Sequence, residues 1–270
     1  MPGISGSQGS YRYAVTLLRF SVYNSNGYMF IGIYSVYIHW YIKGGSTMKK
    51  ELFIKAVSRF LAGLLTADLL LFLPAGTFRY PQAWLLIGIL FVPMFLAGLI
   101  MMEKNPELLN KRLNLKEKET EQKEVILFSA IMFLVAFIFA GLSFRFGWLM
   151  LPFRVSIIFA VVFLAAYALY AEVLRENTYL SRTIEVQEGQ KVIDTGLYGI
   201  VRHPMYMATI FLFLAMPLVL GSVISFVIML SYIPIIVKRI RNEEQVLTEG
   251  LRGYEAYKKK VRYRLIPFIW

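Results

Sequence analysis

Apolar positions in this chain fall in long runs separated by short charged segments. Four runs, at about 52–73, 83–102, 125–144 and 155–174, each hold the ~20 residues that an α-helix needs to cross a bilayer. A fifth run, 205–237, is interrupted by Pro217 and Gly221. Each of its arms is short for a full span, so the pattern predicts a helical hairpin that enters and returns, or two short crossings. In either case both ends of the run lie on one face of the membrane. The fold expected is therefore an all-α integral membrane bundle with a C-terminal broken hairpin.

Composition agrees: 57% of residues are hydrophobic, 17% are charged and the mean hydropathy is +0.57, too apolar for a domain with a polar coat. The net charge of +12 changes the picture only through its distribution. Basic residues gather before the first run, between the second and third, and after the fifth, where Arg239, Arg241, Lys258, Lys259, Lys260, Arg262 and Arg264 stand. The remaining loops carry only Arg79, Arg145 and Arg154. By the positive-inside rule the rich segments, together with 175–202 and the tail, are cytoplasmic, and a nucleic-acid partner is not expected. Membrane lipids are the partners that this pattern predicts, and the sequence is silent on oligomeric state.

Residues 1–47 read differently, with a Gly/Ser-rich start, no acidic residue and many tyrosines. They are read as an extension upstream of a natural start at Met48, with 27–42 as the alternative of a short extra membrane segment. Residues 48–270 then form one membrane domain. The loop 103–124 mixes acidic and basic residues, and Asn105-Pro106 opens a solvated surface helix there.

Chemistry concentrates at the borders of the fifth run. Arg202-His203-Pro204-Met205-Tyr206 precedes it and Lys238-Arg239-Ile240-Arg241-Asn242-Glu243-Glu244 follows it, so a hairpin brings the two clusters together as halves of one site. Pro204 suits the first turn of a helix, whose free N–H groups would face an anionic ligand group. Alone, His203 reads as a capping residue and Arg202 as a snorkelling one; beside Tyr198 and Tyr206 they outline a pocket. Arg239 and Glu243, four apart, share a helix face. The segment 176–201, with Arg182, Glu185, Glu188, Asp194 and the glycines Gly189, Gly196 and Gly199, is expected to be a structured cap. The basic tail reads as a membrane-surface segment, with closure over the pocket as the alternative and Tyr257 and Tyr263 as packing residues. The chain has no cysteine and only His39 and His203 as histidines, which excludes thiolate sites and argues against a metal centre.

Arg202-His203-Pro204-Met205-Tyr206, the broken hairpin, Glu243-Glu244 and Tyr254-Glu255-Ala256-Tyr257-Lys258-Lys259-Lys260-Val261 resemble the C-terminal signature of the isoprenylcysteine carboxyl methyltransferase family and its phospholipid methyltransferase relatives. The resemblance runs from about residue 172 to the end, and it implies a cofactor-binding part at about 172–270 and a lipophilic or lipidated substrate. It implies a membrane enzyme that uses S-adenosylmethionine without a Rossmann domain, and the chain has no glycine-rich nucleotide fingerprint of the soluble kind. It further implies cofactor contacts from Gln190, Lys191, Val192, Ile193, Tyr198, His203, Pro204, Met205, Tyr206 and Glu243. Arg239 falls where the family has a substrate-binding, catalytic arginine. One departure is Ala208, where many members have glycine; its methyl group would narrow the pocket.

A sulfonium methyl is already activated, so the protein need only align a nucleophile opposite the leaving sulfur and exclude water. A carboxylate or thiolate acceptor needs no base; an amine does, and only His203 or a glutamate is at hand. Carboxyl methylation of an isoprenylcysteine-like acceptor is the first expectation. A phospholipid N-methyltransferase, a membrane NADPH-dependent sterol-type reductase and a non-catalytic membrane scaffold are the alternatives.

Overall fold

The computed structural model describes residues 47–113, 120–180, 184 and 186–270. The chain divides into two units, 1–53 and 54–270, and only the opening of the first helix is described in the former. The expected extension and the segment 27–42 lie outside the described residues, as do Arg182 and Glu185. All regular structure among the described residues is helical, apart from one isolated antiparallel bridge between Met150 and Ser222.

Four long helices realise the four apolar runs: α1 (Thr47–Ala75), α2 (Pro81–Lys104), α4 (Thr120–Phe146) and α5 (Phe153–Glu176), with the short α3 (Pro106–Leu113) where the polar loop predicted a surface helix. Their ends follow from local chemistry. Gly76, at φ +69°, takes the left-handed position past α1 and its N–H returns to Phe72 O at 2.9 Å, as helix C-termini commonly do. Pro81 opens α2, where a missing N–H costs nothing, and Asn105 ends it one residue before Pro106, a position proline keeps out of the helical region.

The fifth run folds as the predicted hairpin. Its ascending arm is α6 (Pro204–Val219) and its descending arm is split into α7 (Val223–Met229) and α8 (Tyr232–Gly250). The reversal at 220–222 is pinned from several directions. Gly221 has φ +76°, and a Cβ there would sit 3.1 Å from Met150 Cε and 3.3 Å from Leu151 O, so glycine answers both conformation and space. The Leu151 N–H donates to Gly221 O at 2.8 Å, and Tyr80 Oη donates to Leu220 O at 2.7 Å. Ser222 caps α7 by accepting from Ser225 N at 3.2 Å, and Ser225 Oγ donates to Ala136 O at 2.7 Å. A turn within an apolar slab must satisfy its own polar groups, and these bonds do so.

α5 runs along α6, and α4 packs against α7 and α8. Small residues sit at the contacts, among them Ala83, Ala140, Ala160, Ala166 and Ala215, all buried. Gly141 approaches α1 so closely that a Cβ would fall 2.6 Å from Leu71 O. Between helices in lipid, close packing and dispersion take the place of the hydrophobic effect. Outward positions such as Leu65, Leu69, Val92, Leu96, Phe128, Ile158 and Val161 stay exposed, and five helical segments, the fifth being Val223–Gly250, are long and apolar enough to cross a membrane. The protein is a multi-pass integral membrane protein. Beyond α8, the tail forms α9 (Tyr254–Lys260) and returns to the start of α6.

Candidate functional site

The hairpin joins the two polar clusters as its sequence requires. Glu244, on α8, accepts from Arg202 Nε at 2.7 Å and faces His203 Nε2 at 3.2 Å with the same oxygen, while its other oxygen accepts from Arg264 Nε at 2.7 Å. Arg202 also donates to Val261 O at 2.8 Å and Arg262 O at 2.9 Å. The backbone N–H groups of Arg202 and His203 donate to Tyr263 O and Arg264 O, each at 2.9 Å. Arg202 is therefore a buried clamp on the tail and not a snorkelling side chain, because every face of its guanidinium that these contacts use is turned inward. Glu244 is the hub of that clamp, a role the sequence reading did not give it.

One residue earlier, Glu243 turns the other way. It accepts a very short hydrogen bond from Tyr206 Oη, and Tyr206 Oη in turn accepts from Arg239 Nε at 3.0 Å. Arg239, Glu243 and Leu247, at four-residue spacing on α8, line an open cleft together with His203, Met205 and Tyr206 from the start of α6. The opposite wall comes from the segment before the hairpin: Gln190, Lys191, Val192, Ile193 and Tyr198, with Asn177 and Tyr179 at the end of α5. Pro204 is not on this wall; it is buried as the first residue of α6. Ala208 is also fully buried in α6 and away from the cleft lining, so its extra methyl does not narrow the pocket as expected.

The segment 176–201 is held as a structured cap wherever it is described. Gln187 Nε2 donates to Tyr179 O at 2.6 Å and Lys111 Nζ, from α3, donates to Gln187 Oε1 at 2.7 Å. Glu176 accepts from Thr195 Oγ1 at 2.9 Å and from Leu197 N at 3.2 Å, fixing the short 3₁₀ turn Gly196–Gly199 that presents Tyr198. Gly196 is required twice over: φ is +46°, and a Cβ would lie 2.2 Å from Glu176 Oε1. Among the described residues no strand forms in this segment, although its residue types suggested short extended pieces.

Of the two readings of the tail, surface docking and closure over the pocket, the contacts match the second. Tyr254 and Tyr257, on α9, are buried and line the cleft, and Tyr257 Oη donates to Tyr198 O at 2.8 Å. Leu251, Tyr254, Tyr257 and Val261 form an apolar cluster with Val186, Val192 and Leu247. Sequence reasoning missed Tyr254, Leu247 and Leu251 as cleft residues; their spacing on α8 and α9 carries the signal only once the tail is known to fold back. Burial pushes the hydroxyls of Tyr198, Tyr254 and Tyr257 well above the usual phenol range, so they stay neutral donors. At the exposed rim, a hydrogen bond from Lys260 at 2.6 Å holds the Asp194 carboxyl below the usual carboxylate range. Among the described residues no group of three or more His, Cys, Asp or Glu side chains is placed to hold a metal ion.

Known proteins share these features to different extents. The structure of the eukaryotic intramembrane Ras methyltransferase ICMT (isoprenylcysteine carboxyl methyltransferase), solved without a monobody, superposes with a TM-score of 0.51 over 97% of this chain and 92% of that one, at 16% identity. That is a likeness of fold. Delta(14)-sterol reductase of Mus musculus is 32% identical over 91 residues, which are 33% of this chain and 22% of the reductase. The chain thus spans about a fifth of the length of that relative. Residues 148–249, which contain α5 to α8 and most of the cleft, match the family model described as the isoprenylcysteine carboxyl methyltransferase (ICMT) family.

Proposed function

We propose that this protein is a membrane methyltransferase that uses S-adenosylmethionine and methylates a lipophilic acceptor, with the carboxylate of an isoprenylcysteine-like molecule as the best-fitting nucleophile. The observation that carries the reading is the convergence of Gln190, Val192 and Tyr198 with His203, Tyr206, Arg239 and Glu243 on one cleft at the polar end of the hairpin.

The residues fit such a cofactor. Val192, Leu247 and Leu251 offer an apolar surface for a purine, Glu243 a carboxylate for polar groups, and Tyr198 and Tyr206 aromatic faces for a cation. Tyr254 adds a buried hydroxyl with no protein partner. When bound, the cofactor supplies a methyl group already activated on a sulfonium. The chain's own residues then position and enclose. Arg239, one turn from Glu243 on the same face, orients an acceptor carboxylate by charge-assisted hydrogen bonding. Tyr206 fixes both by accepting from Arg239 and donating to Glu243, and α9 screens the cleft from water. His203 is committed to Glu244, which leaves it poorly placed as a base and supports an acceptor that is ionised before it arrives. The basic segments flanking the spans support a cleft that opens on the cytoplasmic face.

The test is transfer of labelled methyl from S-adenosylmethionine to a farnesylcysteine analogue by detergent-purified protein. A base-labile methyl ester is the expected product. The identity shared with the sterol reductase supports one second reading, reduction of an apolar substrate by NADPH; NADPH-dependent sterol reduction without methyl transfer would replace the first reading with it.

A further inference from the structure

Tyr254 is only 3% exposed, lines the cleft, and has a hydroxyl with no hydrogen-bond partner among the described residues. The other buried phenols nearby are satisfied: Tyr206 Oη by Glu243 and Arg239, Tyr257 Oη by Tyr198 O. A buried hydroxyl without a partner is costly, and a fold that keeps one in a cleft wall has reason to. Its position is not a packing accident. Gly253, at φ +92°, turns the chain at the N-cap of α9, and the Tyr254 N–H donates to Leu251 O at 3.1 Å. The ring packs with Leu251 and Tyr257 in the apolar cluster that includes Val192 and Leu247.

Burial, and then Glu244 and Glu243, oppose ionisation of this phenol while Arg202 acts the other way, so it stays a neutral hydroxyl able to donate a proton. The apolar residues packed round its ring leave no charged partner against it. What remains is a neutral acceptor among apolar walls, which is the chemistry of a nucleoside and not of a zwitterionic amino-acid arm. We propose that Tyr254 positions the cofactor by donating its O–H to a neutral oxygen or nitrogen of the adenosine part. This inference rests on the methyltransferase reading.

The experiment is thermal-shift and calorimetric titration of the full chain in detergent, wild type against Tyr254→Phe, with S-adenosylhomocysteine and with 5′-methylthioadenosine, which lacks the amino-acid arm. Without ligand the variant is expected to melt at or above the wild-type temperature, because a hydroxyl is removed and no protein bond is lost. Affinity for both ligands should fall by about tenfold, equivalent to ~1.4 kcal/mol. Unchanged affinity overturns the inference while leaving the methyltransferase reading intact. A lower ligand-free melting temperature overturns it in favour of a structural role, and a loss seen only with S-adenosylhomocysteine overturns the nucleoside assignment. If wild type binds neither ligand, the reading and the inference fall together.

Discussion

Glu243 and Glu244 are neighbours in sequence, yet the regions they organise differ in kind. Around Glu244 every polar group points at another part of the chain: Arg202, His203 and Arg264 converge on one buried carboxylate and tie the tail to the start of α6. Around Glu243 the polar groups line an open cleft, where Tyr206 bridges Glu243 and Arg239. Adjacent residues on a helix point about 100° apart, so the doubled glutamate faces two surroundings at once. One carboxylate ties the tail to the fold, and its neighbour stands in the cleft wall where the proposed function uses it.

The comparison breaks most visibly at the hub. Glu244→Gln removes the counter-charge from Arg202, whose side chain is 7% exposed, and losing one partner of a buried pair costs ~3–5 kcal/mol. Thermal unfolding in detergent should show a large drop, with the tail released to protease. Gly196→Ala comes next on the cleft side. It forces a Cβ into Glu176 at an unfavourable φ, and a loss of ~1–3 kcal/mol is expected together with weaker ligand binding. Mixed readouts of that kind mark residues that shape the cleft without touching the ligand.

Tyr257→Phe deletes one buried hydrogen bond to Tyr198 O and should cost ~0.5–1.5 kcal/mol. It also sharpens a pH prediction. Burial raises the folded-state pKa of Tyr198, Tyr254 and Tyr257, so the unfolded chain ionises first as pH rises through about 10. Stability is complete below that pH and is lost above it, and the alkaline fall should be shallower in the variant. The smallest effect belongs to the rim. Asp194→Asn breaks an exposed pair with Lys260, and surface ion pairs contribute little; the melting temperature at neutral pH should not move measurably.

The helices and the hairpin were legible because hydropathy repeats its message at many positions. Any few residues between 125 and 144 are dispensable to that signal, and Pro217 with Gly221 announces the reversal by its chemistry. The pairing of the two clusters followed from the hairpin alone. What sequence did not disclose was the direction of single side chains. Arg202 taken alone suggests a snorkelling cation because its partner lies 42 positions away, whereas its place beside Tyr198 and Tyr206 points to the cleft that it lines; its burial comes from the folded tail. Tyr254 and Tyr257 looked like surface aromatics because basic residues surround them, yet one face of a seven-residue helix carries both inward. Pro204 and Ala208 show the converse: they stand inside a recognisable motif but are buried in α6, where they set the helix and its packing.

The division of labour between the two glutamates is tested most directly by calorimetric titration of purified wild type, Glu243→Gln and Glu244→Gln with S-adenosylhomocysteine, each melted beforehand. Saturable binding to wild type, with Glu243→Gln losing tenfold or more in affinity at a stability within ~1 kcal/mol of wild type, is the predicted result. Undiminished binding by Glu243→Gln, or binding of NADPH and not S-adenosylhomocysteine by wild type, would contradict it.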